Sequence, residues 1–192
     1  MATQAVYLRQ PRAAVRLARA AVDGARRAPA AVLARVYTAE ACAHAVAGDR
    51  ASCTAALRRA EAAIGRSRPG DGPGWVGYFT PAHFAGTALR CFRDLGLSRQ
   101  ALRHADAALD LDGGAARTRA LHTALIATAH AAAGDMDAAA ELGLRALDMA
   151  GAVRSRRVRE RFDDLAHRLT GHRKTGAVDQ FLDRVSAQPA AA

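Results

Sequence analysis

Apolar and small residues recur every three or four positions along most of this chain, which is the spacing of one face of an α-helix. The clearest example lies between Arg117 and Gly151. Gly134 interrupts its apolar pattern, and the Asp135 carboxylate can accept hydrogen bonds from the free N–H groups of a following first turn. The small face of the second segment consists of Ala139, Gly143, Ala146 and Leu147. The stretch predicts two helices joined by a Gly-Asp turn, with Gly151 as a left-handed C-cap.

The same periodicity predicts helices along the rest of the chain. Their approximate ranges are 11–27, 30–47, 50–64, 81–95, 98–112, 153–169 and 175–185. Pro11 and Pro81 suit the first turn of a helix, where a backbone donor is not needed. The segment from Gly65 to Tyr78 is rich in glycine and proline, which predicts a loop between repeats. We expect residues 187–192 to be a disordered tail.

The glycines that follow the predicted helices give a period. Gly48, Gly96, Gly134 and Gly171 are separated by 48, 38 and 37 residues, and the loop at 65–78 lengthens the first interval. This is the spacing of helix-hairpin repeats. Because β-branched residues are also few, the sequence predicts an all-α solenoid of about four helical hairpins with a C-terminal capping helix. We expect one helical-repeat domain over residues 1–186.

Composition narrows the class of protein. The net charge of +10 comes almost entirely from arginine, since Lys174 is the only lysine, and this excess can attract anionic partners. An arginine-rich and alanine-rich chain is also what a GC-rich genome produces without selection for a partner. The sequence shows neither a membrane-length apolar run nor signal-peptide order, which predicts a cytoplasmic protein without a membrane partner. Cys42, Cys53 and Cys91 are expected to be small buried thiols.

Three segments repeat a pattern of small residues after a turn, namely GDMDAAAELGLRALDM, LGLSRQALRHADAALDL and GDRASCTAALRRAEAAI. In each, a small residue is followed seven positions later by a pair such as Ala-Leu. The residues concerned are Ala139 with Ala146-Leu147, Ala101 with Ala108-Leu109, and Cys53 with Ala60-Glu61. The pattern resembles the second helix of a tetratricopeptide repeat, although the Trp, Leu-Gly and Tyr of that family's first helix are largely missing. The resemblance implies a right-handed solenoid whose first helices line a concave surface.

A second resemblance covers nearly the whole chain. The order of WVGYF, RTRALHTALIA, AAAGDMDAA, RALDMAGAVRSRRVRERFDDLAHRL and QFLDRV is similar to the C-terminal repeat region of helix-turn-helix transcriptional regulators from high-GC Gram-positive bacteria. In that family a DNA-binding domain precedes the repeats, which act as sensor and dimerisation module. Because residues 1–10 leave no room for a helix-turn-helix, the resemblance implies a regulator-type repeat domain that stands alone or a truncated relative, and it does not carry DNA binding over to this chain.

Catalytic constellations are not expected. Asp163 and Asp164 are adjacent and so point apart on a helix, while Glu40 and Glu61 are isolated in the sequence. The run PGDGPG lacks the GK[ST] ending and the preceding strand of a phosphate-binding loop. The sequence therefore favours a non-catalytic protein without a cofactor.

Histidines need a separate argument, because His122 and His130 lie eight residues apart on roughly one helix face. His44 holds the position of His130 in an earlier repeat. Metal ligands usually converge at closer spacing, and the chain contains no HxxxH or CxxC. We expect these histidines to line a groove or to satisfy core hydrogen bonds rather than to bind a metal.

A peptide-binding groove is the favoured functional hypothesis, with shape and side-chain anchors providing recognition. The candidate residues for the groove or its rim are Tyr37, His44, Trp75, Tyr78, Phe79, Arg90, Arg119, His122, Thr123, Ile126 and His130. The aromatic group at 75–79 has two open interpretations, a core plug at the end of the stretched repeat or an exposed edge of the groove. The expected ligand is a peptide or protein segment in a regulatory pathway.

A basic patch supports the alternative hypothesis of direct nucleic-acid binding. It comprises Arg154, Arg156, Arg157, Arg159 and Arg161. Acidic residues stand at ion-pair spacing among these arginines, and no recognition helix or stacking aromatics accompany them, so a solvated helix face is favoured. A separate DNA-binding partner and a homodimer are the other partners considered.

Overall fold

The computed structural model describes residues 1–68, 70–112, 115–151, 156–172 and 176–187, and it describes Arg156 and Arg157 by their backbone alone. Within these ranges the protein is all-helical and contains no strand. The α-helices are α1 (Ala2–Tyr7), α2 (Pro11–Gly24), α3 (Ala30–Val46), α4 (Arg50–Arg66), α5 (Pro81–Asp94), α6 (Ser98–Leu102), α7 (Ala105–Leu109), α8 (Ala116–Ala133), α9 (Met136–Ala150), α10 (Arg156–Leu169) and α11 (Gly176–Ser186). Short 3-10 helices occupy Gly74–Val76 and Thr170–His172. None of the helices described is long and apolar enough to cross a membrane.

Most helices predicted from periodicity are confirmed to within a few residues, but the prediction for 98–112 is wrong. That segment forms two short helices, α6 and α7, instead of one. The chain tightens between them, where the His104 N–H donates to the Ala101 carbonyl three residues earlier at 3.0 Å. Helix α1 was not predicted, because a helix this short does not show a hydrophobic period. Helix α4 reaches Arg66 and a 3-10 helix follows at Gly74–Val76, so the loop is shorter than predicted.

The chain divides into two compact units, Met1–Leu97 and Ser98–Ala192. The single repeat domain over 1–186 stays a prediction. The predicted tail lies outside the described residues from position 188 onward.

The first unit packs α3 against all four other α-helices of the unit and against the 3-10 helix. One apolar cluster joins α1, α2 and α3 around the buried residues Ala5, Val6, Ala14, Ala18 and Ala43. The other joins α3, α4 and α5 around Ala41, Ala45, Cys53, Ala56, Leu57, Ala60, Phe84, Ala88 and Cys91. Because α3 contributes to both clusters, it is the central helix of this unit.

The second unit is built on the hairpin of α8 and α9. Helices α10 and α11 cover this hairpin and bring the largest side chains of the core. Phe162, Leu165 and Phe181 are all almost completely buried there. Their neighbours on α8 and α9 are mostly alanines, such as Ala124 and Ala139. Large side chains from the last two helices thus fill the space that small residues leave on the hairpin.

Three helices end in the same way, at a left-handed glycine. Gly48, Gly96 and Gly134 have φ of 75°, 73° and 92°, which a side chain would make costly. After each glycine, the next N–H donates to the carbonyl five residues back, as in Asp49 to His44 at 2.9 Å and Asp135 to His130 at 3.0 Å. This is the Schellman arrangement, and it satisfies carbonyls that the helix leaves free. Gly151 was wrongly predicted to be left-handed, since its φ is −5°.

Asp49 and Asp135 then begin the next helices, as the sequence predicts for Asp135. The Asp49 side chain accepts from the Ser52 N–H at 3.0 Å, and the Asp135 side chain accepts from the Ala138 N–H at 3.2 Å. A glycine that ends one helix and an aspartate that caps the next therefore define both hairpins, α3 with α4 and α8 with α9.

Gly143 allows the closest approach in the second unit. A Cβ built on it would lie 2.7 Å from a ring carbon of Phe181 and 2.8 Å from a methyl carbon of Leu165. Real Cβ atoms do not come this close, so one neighbour would have to move. The buried Phe181 ring has little freedom to do so.

We expect Gly143→Ala to lower the free energy of unfolding by about 1–3 kcal/mol, because the added methyl overpacks the contact with α10 and α11. Gly65→Ala in α4 is the matched control, since a Cβ there meets no atom within 4 Å. The control should be neutral or slightly stabilising, as alanine is the better helix former. Urea unfolding of both variants measures the difference, and equal stabilities would contradict the packing described.

Candidate functional site

Burial contradicts an accessible position for four of the predicted groove residues. His44, His122, Thr123 and Ile126 expose between 2% and 6% of their surface. A side chain this deeply buried cannot meet a ligand without a rearrangement of the helices. Their places in the core have specific causes, which differ from residue to residue.

His44 and His130 belong to the hairpin turns. The Nδ1 atom of His44 lies 3.4 Å from the Asp49 carboxylate, and that of His130 lies 3.3 Å from the Asp135 carboxylate. Both pairs follow the same sequence, His-x-x-x-Gly-Asp, in which the aspartate also caps the next helix. The correspondence between His44 and His130 is thus confirmed, but as part of the turn.

His122 and Arg119 serve a different helix end, the C-terminus of α7. The imidazole Nδ1 of His122 lies 2.7 Å from the Ala108 carbonyl oxygen, which can only accept, so Nδ1 carries the proton. Arg119 donates to the carbonyls of Leu109 at 2.9 Å and Leu111 at 2.6 Å. A helix leaves its last carbonyls without partners, and these two side chains supply them.

Thr123 is similarly engaged, since its hydroxyl donates to the Arg119 carbonyl one turn earlier at 2.9 Å. The contacts of Arg119, His122 and Thr123 lie within the protein and therefore do not support their prediction as groove residues. No signal in the sequence connects Arg119 with the end of α7, because the periodicity of α8 does not show which carbonyls of another helix its side chains meet.

Glu40 is buried and paired, which corrects the expectation that it is isolated. Its carboxylate accepts from Arg59 on α4 at 2.7 Å and lies 4.0 Å from the His44 imidazole. The Arg59 guanidinium also stacks over the Tyr37 ring, 4.8 Å from its centroid. Charge pairing and ring stacking thus tie α3 to α4, and Tyr37 serves this contact.

Arg90 also has its partners within the first unit. Its guanidinium lies over the Tyr7 ring at 4.8 Å from the centroid, and it donates to the Tyr7 hydroxyl at 3.3 Å. Its Nε lies 3.5 Å from the Asp94 carboxylate. Arg90 therefore joins α5 to α1 and is not presented toward a groove.

Trp75 and Tyr78 are exposed, and the two interpretations of the aromatic group each hold for part of it. They expose 60% and 53% of their surface, whereas Phe79 is half-buried against the core of α3, α4 and α5. Phe79 is thus the core plug, and the other two form an exposed edge. We call Arg35, Trp75, Tyr78 and His83, the polar and aromatic residues grouped here, the aromatic surface.

Contacts within the aromatic surface hold Tyr78 in place. Its hydroxyl accepts from Nε of Arg35 at 3.2 Å, and its ring meets the His83 ring edge-on with centroids 5.5 Å apart. His83 in turn shares a hydrogen bond with the Thr80 hydroxyl at 2.9 Å. Arg35 also lies over the Phe79 ring, 5.9 Å from its centroid. These contacts join α3 to the start of α5.

Arg35 and His83 were not among the predicted site residues. Arg35 stands 43 residues before Tyr78, and helical periodicity does not show which distant ring a surface arginine meets. The proximity of Thr80 and His83 to the aromatic residues in the sequence was the only available signal.

The basic patch is only partly described. Arg154 lies outside the described residues, as do the side chains of Arg156 and Arg157. Arg159 pairs with the Asp163 carboxylate at 3.0 Å one turn along α10, and Arg161 is half-buried. The Arg159 pair agrees with the solvated ion-paired face that was favoured over a nucleic-acid site.

Among the residues described, no group of three or more His, Cys, Asp or Glu side chains has the arrangement to hold a metal ion.

His122 gives a pH prediction. Burial lowers its pKa, and the bond to the Ala108 carbonyl offsets this only in part. The unfolded chain therefore takes up the proton first as the pH falls, so that stability is lost below about pH 6.5 by at most about 1.4 kcal/mol per pH unit. His122→Gln removes this uptake, and the difference in unfolding free energy between wild type and variant should narrow between pH 7.5 and pH 5.

Thr123→Val is the matched control, because it removes a buried hydroxyl on the same helix without changing a titrating group. Its difference from wild type should not vary with pH. Chemical unfolding across the pH range tests both variants, and a constant difference for His122→Gln would contradict the prediction.

No protein-family model, no curated protein and no solved structure matches this chain.

Proposed function

We propose that this protein is a non-catalytic interaction module that binds a segment of another protein through the aromatic surface of its first unit. The observation that carries the proposal is the exposure of Trp75 and Tyr78, at 60% and 53%. Large rigid aromatic side chains contribute most of the binding energy at protein interfaces. Both residues were candidates for the groove or its rim, and they lie before α5 instead of on the first helix of a hairpin.

Charge favours an acidic partner. The chain carries a formal net charge of +10, which steers anionic segments toward it. At the aromatic surface itself, the Arg35 guanidinium has five N–H donors, and its contact with the Tyr78 hydroxyl uses the one on Nε. The terminal nitrogens suit bidentate bonding to a carboxylate. We therefore propose a segment that combines acidic residues with one or two apolar anchors.

The proposal also includes a tetratricopeptide-like arrangement and a regulatory role. Two helical hairpins with the same Gly-Asp turn support a tetratricopeptide-like arrangement of the chain, in which repeated units present a binding surface. A role in transcriptional or signalling regulation, with a separate DNA-binding partner or a second copy of the chain, rests on the resemblance to regulators.

Trp75 allows a direct test, because it is the only tryptophan and its emission reports on its own environment. Short labelled peptides with Leu or Phe anchors would be prepared in two sets, one flanked by Asp and Glu and the other by Lys. We expect peptides of the acidic set to shift the Trp75 emission to shorter wavelength and to bind in fluorescence polarisation. Trp75→Ala and Tyr78→Ala should weaken binding at least about tenfold.

Leu8→Ala is the matched control, since Leu8 is an exposed apolar side chain of the same unit at 61%. It should leave the affinity unchanged. The proposal would be overturned if neither peptide set bound or if both sets bound equally. It would also be overturned if Leu8→Ala weakened binding as much as Trp75→Ala or Tyr78→Ala.

A further inference from the structure

All three cysteines of the chain converge in one core. Cys42 lies on α3, Cys53 on α4 and Cys91 on α5, and all three are free thiols. The Cys91 thiol donates to the Cys42 sulfur with 3.7 Å between the two Sγ atoms, and it also shares a hydrogen bond with Cys53. The sequence separates the first two by only 11 residues but places Cys91 49 residues after Cys42. Only the fold brings them into contact.

The three thiols differ in access to solvent. Cys53 and Cys91 are completely buried, whereas Cys42 is only partly buried. Cys42 is therefore the one of the three residues with surface that a small oxidant can approach. Cys91 lies directly behind it, in position to meet whatever forms on the Cys42 sulfur.

Electrostatics also distinguish Cys42 from Cys91. The hydrogen bond from Cys91, aided by the positive charges of Arg90 and Arg35, lowers the pKa of Cys42 to about 7, while burial and Asp94 oppose this. The same hydrogen bond, the contact with Cys53 and burial raise the pKa of Cys91. Arg90 is fixed beside the pair by Tyr7 and Asp94. Cys42 therefore ionises more readily than an ordinary cysteine, and the thiolate is the reactive form.

We propose that Cys42 and Cys91 form a peroxide-reactive dithiol, in which Cys42 is oxidised first and Cys91 then closes a disulfide between α3 and α5. The oxidant is a hydroperoxide, hydrogen peroxide being the simplest. The proposal does not rest on what binds at the aromatic surface, although Arg35 contributes to both sites.

The reaction takes place in two steps. The Cys42 thiolate attacks the terminal oxygen of the peroxide, an S–O bond forms, the O–O bond breaks, and the leaving oxyanion takes a proton to become an alcohol or water. Cys42 is now a sulfenic acid. The Cys91 sulfur then attacks the Cys42 sulfur, the S–O bond breaks, and the Cys91 proton passes to the departing hydroxide, which leaves as water. Two thiols lose two electrons in total, and the peroxide gains them.

The geometry suits the second step. Oxidation removes the negative charge of Cys42, which is one of the causes that raise the pKa of Cys91, so Cys91 ionises more readily once it is needed. The two sulfurs are 3.7 Å apart and must approach to about 2.0 Å in a disulfide. Side-chain rotation, with a shift of α5 against α3, has to close this distance.

Hydrogen peroxide is the probe for the test, with the full chain in its reduced form. We expect a stoichiometric dose to produce an intramolecular Cys42–Cys91 disulfide, seen as a loss of two hydrogens in the intact mass and assigned by peptide mapping. In Cys91→Ala, dimedone should trap a sulfenic acid on Cys42. Cys42→Ala should form neither product, and Cys53→Ala, the matched control, should form the same disulfide as wild type.

Alkylation provides a second measurement that does not depend on oxidation. In the native protein, iodoacetamide should modify Cys42 at least about tenfold faster than Cys53 or Cys91, with a rate that rises through a midpoint near pH 7. Circular dichroism of each variant establishes that it is folded before the comparison. Oxidation that begins at Cys53 or Cys91, a disulfide that includes Cys53 or joins two chains, or equal alkylation rates for the three thiols would overturn the proposal.

Discussion

Close contact between helices through alanine and glycine faces is the constraint on which both units depend. Short side chains let two backbones approach, but each buried alanine removes little apolar surface from water. A long polar side chain that starts inside such a contact cannot reach solvent and must find a partner within the protein. Glu40 with Arg59, and His122 with the Ala108 carbonyl, are the results of this constraint. The same constraint places large apolar side chains where a glycine leaves room. Phe181, which packs against Gly143, is an example.

Local features of the fold could be predicted from the sequence because their causes are local. The helix periods, the glycines that end helices at 48, 96 and 134, and the Asp135 cap all depend on residues within a few positions of one another. The breakdown of the predicted helix at 98–112 could not be predicted in this way. The carbonyls of α7 are satisfied by His122 and Arg119 on another helix, and this makes a short helix tolerable.

In the candidate site, too, some features could be predicted from the sequence and others could not. The aromatic residues stand out in a chain with so few of them, but periodicity does not decide between the core and the surface for a residue outside a helix. The structure separates Phe79 from Trp75 and Tyr78, which lie only a few positions away. The histidines were misleading for a related reason, because shared position on a helix face indicates neither burial nor a partner. His44 and His130 share a position because they share a turn.

The thiol pair joins α3 to α5, and Arg35 and His83 of the aromatic surface lie on the same two helices. Arg35 and Cys42 are seven residues apart, which is about two turns and about 10 Å along one face of α3. Arg35 holds Tyr78 in place, and its charge also stabilises the Cys42 thiolate. A single arginine therefore acts on both features, so substitution of Arg35 alone cannot separate them. Variants at Trp75 and Cys91 can, because Trp75 takes no part in the thiol electrostatics and Cys91 is buried away from the surface that Trp75 presents.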